Sequence, residues 1–296
     1  MIGTCTSAAG SVSGRRHWAP TRADRCGGAP KIGRLRWATV RAALDAGIDW
    51  VDTAPFYGWG RAEEIVGEAI RGRRDDITVL TKCGTIRRLD GSWGEDGSPA
   101  AVRADLEASL VRLGTDHVDV LQLHDPDRNV PIEETVGSIA ELVTAGKVGH
   151  VGLSNHPVDL LRRGHAVAPI EVVQHQWSIL HHPQASESAR RWCANAGAAF
   201  LAWSPLASGF LVDGFDAEAT APGDLRRLLP WASGNGAEQL AVVRADAASA
   251  ERSLRSHALA WAAATGYPIV GARTPDEARA LTIWPASAAA GTALRA

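Results

Sequence analysis

Short apolar segments recur along the chain, and each is followed by a polar turn and then by a segment of helical periodicity. The apolar segments are residues 48–53, 77–82, 118–124, 148–155, 172–177, 199–204 and 267–271, with a possible earlier one at 2–7. The segments between them carry apolar residues at the three- and four-residue spacing of amphipathic helices. Strands that alternate with helices in this way indicate parallel pairing through βαβ crossovers.

Two of the predicted helices have readable ends. Ser98-Pro99 is typical of a helix start and Gly114 of a helix end, and Pro131 predicts a second helix that runs to Gly146. Eight such units predict a single (β/α)8 barrel domain over residues 1–296, with poorly defined ends at 1–34 and 283–296. The stretch 211–240 is rich in Gly, Asp and Ala, and we expect it to form a long loop over the mouth of the barrel.

A doubly wound sheet is the alternative architecture for alternating strands and helices. Its dinucleotide-binding form would show a Gly-x-Gly-x-x-Gly turn after an early strand. The nearest match begins with Gly58 and Gly60, but its third position is Glu63. The sequence therefore favours the barrel.

Composition narrows the classes of function. Hydrophobic residues make up 45% of the chain and charged residues 22%, with a net charge of −2, which argues against binding to nucleic acid or to a membrane surface by bulk electrostatics. No apolar run approaches the roughly 20 residues of a membrane-spanning helix. The four cysteines are scattered, so we expect a reducing, cytoplasmic compartment and no metal site.

Reactive side chains gather at the carboxyl ends of the predicted strands, where such a barrel places its active site. Asp52, Lys82 and His124 end three strands, and Tyr57 follows the first of them. A nearby ammonium lowers the pKa of a phenol from its usual value of about 10, and a carboxylate would hold that ammonium in place. Each residue also has an ordinary alternative: a turn cap, an extended surface side chain or a satisfied core group.

The segments around these residues resemble the aldo-keto reductase family. GIDWVDTAPFYGWGRAEEIVGEAI is similar to the family signature around its catalytic Asp and Tyr, TKCG to the segment of its Lys, and LQLHDPD to the segment of its His. GKVGHVGLSN, VVQHQWSIL, LAWSPLASGFL and IVGARTPDE follow in the family's order, so the resemblance covers about residues 35–280. It implies a (β/α)8 barrel that binds a nicotinamide cofactor across the strand ends.

The resemblance also implies roles for individual residues. The catalytic residues would be Asp52, Tyr57, Lys82 and His124, with Tyr57 as the general acid that protonates a carbonyl oxygen. Ser154, Asn155 and Gln174 match the family's contacts with the nicotinamide carboxamide, and Trp203 matches its contact with the nicotinamide ring. Ser204, Leu206 and Ser208 match the contacts with the pyrophosphate, and Gly271 and Arg273 those at the adenosine end.

The adenosine end departs from the family's pattern. The family usually has Gln or Arg, then an acidic residue and Asn, at the positions that here are Glu277, Ala280 and Leu281. Residues 274–277 fit an ordinary capping box, but two carboxylates at a helix start would compete with a phosphate for the same positive field. Arg273 and Arg279 could compensate. We expect NADP(H) as the cofactor, with NAD(H) as the alternative.

These observations predict an NAD(P)H-dependent oxidoreductase that reduces a small-molecule aldehyde or ketone, such as a sugar or natural-product intermediate, to an alcohol. One alternative is an NAD-dependent sugar (aldose) 1-dehydrogenase, which Glu277 favours. Another is a barrel that binds the cofactor as a regulatory or redox-sensing protein. Trp59, Trp93 and Trp231 lie on predicted mouth loops and are candidates for an apolar substrate pocket, the alternative being that they pack the loops.

Overall fold

The computed structural model describes residues 3–5, 29–88, 92–216, 218–220 and 224–281. Eight parallel strands close into a barrel, and each one pairs with the barrel strands that precede and follow it in the chain. The barrel strands are β1 Gly3–Cys5, β2 Trp50–Asp52, β3 Thr78–Cys83, β6 Val118–Leu123, β7 Val148–Ser154, β8 Val172–Gln176, β9 Ala199–Trp203 and β10 Tyr267–Val270. This confirms the predicted (β/α)8 barrel and the early strand within 2–7.

Helices surround the barrel in the order expected for βαβ crossovers. They are α1 Ala29–Asp45, α2 Arg61–Ile70, α3 Pro99–Leu113, α4 Ile132–Thr144, α5 Val158–His165, α6 Gln184–Ala196, α7 Gly234–Ser249, α8 Leu254–Ala263 and α9 Pro275–Leu281. No helix among the described residues is both long and apolar enough to span a membrane. Most of the poorly defined ends predicted at 1–34 and 283–296 lies outside the described residues.

The strand alternation separates the core into an inner and an outer part. A small buried cluster within the barrel contains Trp50, Leu80, Val120, Val172, Leu201 and Ile269. The larger cluster includes the neighbours of these residues on the strands, such as Val51 and Val79, packed with the apolar stripes of the helices. Two residues beyond the inner apolar layer, the inward positions become polar at Asp52, Lys82 and Gln122. The carboxyl end of the barrel is therefore its polar end.

The predicted helix ends are confirmed. The Ser98 hydroxyl accepts a hydrogen bond from the backbone N–H of Ala101 at the start of α3, and Gly114 ends that helix with a φ of 66°. Pro131 precedes α4, and Gly146, two residues beyond its end, also has a positive φ. A glycine tolerates this left-handed backbone, which closes the last helical turn.

The stretch 211–240 differs from the expected long loop. It contains two short 3-10 helices, Leu225–Leu228 and Pro230–Ala232, and α7 begins within it at Gly234. The helix forms because Leu240, Val243 and Ala247 lie on one stripe and pack in a second cluster with the segment after β9.

A hairpin of β4 (Thr85–Arg87) and β5 (Trp93–Glu95), which was not predicted, extends from β3 at the mouth.

Two helical glycines offer a matched test of the packing between α2 and α3. A Cβ on Gly67 of α2 would meet the backbone carbonyl of Leu113 at the end of α3, whereas a Cβ on Gly137 of α4 would lie 4.0 Å from a methyl group of Val167. Gly67→Ala should therefore lower the free energy of unfolding by about 1–3 kcal/mol. Gly137→Ala should raise it by up to about 1 kcal/mol, since alanine is the better helix former. Urea unfolding measures both, and equal stability of the two variants would contradict the predicted close approach.

Candidate active site

A buried ion pair between Lys82 and Asp52 lies at the carboxyl ends of β3 and β2. The Lys82 Nζ donates to Oδ2 of Asp52 at 2.6 Å and to the carbonyl oxygen of Thr53 at 2.9 Å, and the two side chains are 0% and 1% exposed. The amide nitrogens of Gln122 and Gln174 donate to the other Asp52 oxygen at 3.1 and 2.9 Å. Both carboxylate oxygens are thus hydrogen-bonded, which a charge removed from water requires.

Tyr57 lies beside this pair in the loop between β2 and α2. The Lys82 Nζ is 5.0 Å from the centre of the Tyr57 ring, a distance at which an ammonium and an aromatic ring attract. The rings of Tyr57 and His124 meet edge to face, with centroids 5.8 Å apart. The structure therefore brings together the four side chains that the sequence assigns to catalysis.

His124 is neutral in this environment. Burial, together with the nearby charge of Lys82, lowers its pKa to about 3. Its Nδ1 is buried and has no hydrogen-bond partner among the described residues. A neutral imidazole keeps one N–H donor, and such a donor can stabilise a substrate oxygen on which negative charge develops.

A chain of hydrogen bonds crosses the strand ends next to this cluster. The indole Nε1 of Trp203 donates to Oδ1 of Asn155 at 3.0 Å, and Nδ2 of Asn155 donates to Oδ1 of Asp125 at 2.9 Å. Asn155 itself has a φ of 63°, a left-handed conformation that asparagine tolerates better than most residues. The indole and amide predicted to meet the nicotinamide are therefore held in fixed orientations.

Asp125 belongs to the site although the sequence analysis did not single it out. Burial raises its pKa to about 6, with the charge of Glu95 adding to the effect, while the hydrogen bond from Asn155 and the charge of Lys82 oppose it. The only sequence signal was its place directly after His124, because its partner Asn155 lies on another strand end. Asp125 is thus, after His124, a second group at the mouth whose pKa is shifted mainly by burial.

The remaining cofactor positions are divided between the barrel interior and its loops. Ser154 is buried and pairs in register with Gln174, whose amide nitrogen is directed at Asp52 rather than at the mouth. After β9, the backbone φ changes from −97° at Leu206 to positive values at Ala207 and Ser208. The N–H groups of Ala207 and Gly209 in this turn donate to the carbonyl oxygens of Ser204 and Leu206. The pyrophosphate contact of Ser204, Leu206 and Ser208 therefore stays a prediction.

The adenosine end carries paired charges. The Glu277 carboxylate accepts hydrogen bonds from the backbone N–H of Arg273 at 2.7 Å and from the Arg273 guanidinium at 2.9 Å. Gly271, two residues before Arg273, is exposed. Burial acts to raise the pKa of Glu277, but the hydrogen bonds from Arg273 outweigh it and hold this pKa below its usual value. The predicted capping box forms in part, since Thr274 accepts from the N–H of Glu277 at 3.2 Å. Arg279 pairs with Asp276.

Aromatic side chains gather around Phe56, which the sequence analysis did not consider. Its ring centroid lies 5.4 Å from that of Trp59 and 5.7 Å from that of Trp93, and Phe56 also contacts the rings of Tyr57 and His124. These aromatic rings are therefore continuous with the predicted catalytic cluster.

Trp231 lies in another environment. It is 6% exposed and packs against Phe210 and His181 in the cluster of the segment after β9. Its indole therefore makes most of its contacts with the protein itself.

Among the described residues, no group of three or more His, Cys, Asp and Glu side chains could hold a metal ion.

Comparison with known proteins identifies the family. The model of the aldo/keto reductase family matches residues 34–282, and the chain belongs to this family, a class of NAD(P)-dependent oxidoreductases. Over 188 residues it is 37% identical to the aldo-keto reductase YhdN of Bacillus subtilis (strain 168), an alignment that covers 63% of this chain and 56% of that protein. The chain thus spans about half the length of the curated relatives it matches.

Two solved structures extend the likeness to most of the fold. The glycerol dehydrogenase AKR11B4 from Gluconobacter oxydans superimposes with a TM-score of 0.78 at 26% identity, covering 94% of this chain and 85% of that one. The holo form of the aldo-keto reductase AKR11C1 from Bacillus halodurans gives a TM-score of 0.75 at 25% identity, covering 99% and 90%. The family resemblance read from the sequence is confirmed.

The raised pKa of Asp125 predicts a pH-dependent gain in stability on neutralising this residue. Because the folded-state pKa of about 6 lies above the ordinary value of 3.8, the fold penalises the ionised form, and stability is lost as the pH rises through this interval. Asp125→Asn keeps an oxygen for Asn155, so it should raise Tm by about 3 °C at about pH 7.5 and by less at about pH 5. Thermal scans across this range measure the difference. A gain that does not change with pH would contradict the assignment.

Proposed function

We propose that this chain is an NAD(P)H-dependent oxidoreductase that reduces a small-molecule carbonyl to an alcohol, with Tyr57 as the general acid. The observation that carries the proposal is the buried Lys82–Asp52 pair beneath the Tyr57 ring, with neutral His124 alongside. A general acid needs a neighbour that stabilises its deprotonated form, and the Lys82 ammonium supplies one.

Each side chain then has a defined task in the reduction. The nicotinamide cofactor, when bound, supplies the hydride that adds to the carbonyl carbon. Tyr57 gives its phenolic proton to the carbonyl oxygen, and the resulting phenolate is stabilised by Lys82, whose charge Asp52 keeps in place. His124 can donate a hydrogen bond to the same oxygen. In the reverse direction, the Tyr57 phenolate takes the proton from the alcohol.

The described residues fit a dinucleotide cofactor. Trp203 and Asn155 are fixed by their mutual hydrogen bond at 3.0 Å, and Arg273 lies two residues before the start of α9. Residues 204–208, which follow β9, are the proposed contact of the pyrophosphate. In this arrangement Asn155 would hold the carboxamide and Trp203 would stack on the nicotinamide ring. Because Gln174 already donates to Asp52, we assign it first to the hydrogen bonds around that carboxylate. A contact with the cofactor is its secondary role.

NADP(H) is the proposed cofactor, although Glu277 occupies the donors of Arg273 that a 2′-phosphate would use. The pair is exposed, with 81% of the Arg273 side chain and 38% of the Glu277 side chain accessible. Exposed ion pairs contribute about 0.2–1 kcal/mol, so a doubly charged phosphate can displace the carboxylate. The balance is close enough that NAD(H) stays the alternative.

A second candidate is the oxidation of a sugar or polyol with NAD. The specific observation that favours it is the Arg273–Glu277 pair, since a carboxylate at this position is compatible with a free ribose hydroxyl and repels a phosphate. The name of the glycerol dehydrogenase from Gluconobacter oxydans, which shares the fold, is in line with a polyol substrate. Rates with both cofactors in both directions distinguish the two candidates.

Tyr57→Phe tests the chemistry directly. The variant keeps the aromatic ring over Lys82 and loses only the phenolic proton donor, so kcat should fall by at least about 100-fold. The dissociation constants of NADPH and NADH, measured by quenching of tryptophan fluorescence, should change by less than about twofold.

Two results would contradict the proposal in different ways. Undiminished turnover by Tyr57→Phe would exclude Tyr57 as the general acid. Tight cofactor binding by the parent protein without turnover of any aldehyde, ketone, sugar or polyol tested would instead support a regulatory or redox-sensing barrel, because family membership alone does not fix activity.

Glu277→Gln tests the cofactor preference without a substrate. Removal of the carboxylate frees Arg273 and lifts the repulsion of a 2′-phosphate, so the dissociation constant of NADPH should fall by about threefold to tenfold while that of NADH stays nearly constant. Arg273→Gln should act in the opposite sense. If neither variant alters the ratio of the two constants, this helix start does not select the cofactor.

A further inference from the structure

We propose that a network of the buried residues Thr81 and Glu63 with the partly exposed Arg112, on the outer side of β3, positions Tyr57 over Lys82. The inference rests on the proposed function, because it concerns the same phenol. None of the three side chains is among those we assign to contact with substrate or cofactor. They act, in this view, through the loop that carries Tyr57.

The network begins next to the Lys82 ammonium along the strand. Successive side chains of β3 point to opposite faces, so Lys82 faces the barrel interior and Thr81 faces the helices. The Thr81 hydroxyl donates to Oε1 of Glu63 at 2.6 Å, and both residues are 0% exposed. Adjacent residues of one strand therefore hold Asp52 inside the barrel and Glu63 outside it.

Glu63 lies in the first turn of α2, directly after the Tyr57 loop. The N–H of Ala62 donates to the carbonyl oxygen of Tyr57 at 3.2 Å, and the N–H of Gly60 donates to that of Pro55 at 2.7 Å. The loop is thus bonded into the helix start that Glu63 anchors. Any shift of this turn along the face of the barrel moves the Tyr57 backbone with it.

Arg112 completes the network from α3. Its Nε donates to Oε2 of Glu63 at 2.6 Å and its Nη2 to the hydroxyl of Ser109 at 3.1 Å. The side chain also lies against Gly60, where an added Cβ would be only 2.5 Å from the Arg112 Cδ. Gly60 has a φ of 92°, so this close approach uses the one residue type that permits both the conformation and the contact.

A buried carboxylate is a costly way to join a helix to a barrel. The same interface already contains apolar contacts of Ile65 and Val66, which would serve attachment alone. Two directed bonds on one carboxylate fix its position far more narrowly than apolar packing does. This precision matters at a reacting centre, where a misplacement of about 1 Å costs about 100-fold in rate.

The test uses the low tyrosine content of the chain. Tyr57 and Tyr267 are its only tyrosines, so Tyr57 is the sole source of phenolate absorbance in a Tyr267→Phe background. Its ionisation can then be titrated directly in the folded protein, with circular dichroism checking the fold at each pH. The charged and titratable groups on the side of the phenol are Lys82 with its partner Asp52, His124, and Asp125 directly after His124. Glu63 and Arg112 face the other side of β3.

Thr81→Val removes one bond to Glu63 with little change in volume. If the network holds Tyr57 over Lys82, the variant loosens this contact, and the midpoint of the phenolate titration should rise by about one pH unit. In reduction of p-nitrobenzaldehyde with NADPH, kcat should fall by about 10- to 100-fold while the NADPH dissociation constant changes by less than about twofold. Thr81→Ser keeps the hydroxyl and should restore both values.

The matched control is Arg103→Gln on α3, the helix that also carries Arg112. It breaks the exposed pair between Arg103 and Glu141 of α4 and should leave the titration unchanged. Should Thr81→Val fail to fold, Arg112→Gln gives the same readouts from the end of the network, where the side chain is 24% exposed. An unshifted phenolate midpoint in the folded variant, with or without a lower Tm, overturns the positioning role. Because this titration needs no substrate, its outcome stands apart from the activity of Tyr57→Phe, on which the proposed function depends.

Discussion

The buried ion pair between Lys82 and Asp52 determines how the side chains at the carboxyl end of this barrel are arranged. Two opposite charges removed from water must stay together and must have their remaining hydrogen-bonding capacity filled, and this requirement determines the layer around them. The apolar inner layer ends at Trp50, Leu80 and Val120, and two residues further along the strands the side chains turn to the carboxylate. The Tyr57 phenol, the His124 imidazole and the aromatic side chains around Phe56 are arranged next to this buried ion pair.

Much of the fold and the four central side chains could be predicted because they depend on local pattern. Short apolar segments marked the strands, and the polar residues that end those segments marked the mouth, which located Asp52, Lys82 and His124. The contact of Asp125 with Asn155 could not be read in this way, since the residues belong to different strand ends and meet only on closure of the barrel. Helix α7 was missed for a related reason, because its apolar stripe packs against loop residues rather than strands.

Membership in the aldo/keto reductase family bears more on the proposed chemistry than on the substrate. The proposed proton donor, Tyr57, lies in the loop after β2, and the side chains that would support it, Asp52, Lys82 and His124, come from strand ends held by the closed sheet. Those that would recognise a substrate come from the β4–β5 hairpin and the segment after β9, where sequence and length vary most freely. The preference between NADP(H) and NAD(H) at the adenosine end depends on the small energy of one exposed ion pair, that of Arg273 and Glu277.

Strain in the backbone is concentrated at the same end. Among the described residues, six that are not glycine have a positive φ, and Trp59, Asn155, Ser204, Ala207 and Ser208 are five of them. Glycine at these positions would relieve the strained backbone but would remove the side chains of the mouth. Backbone relaxation and the proposed catalysis therefore place opposite demands on the same few residues.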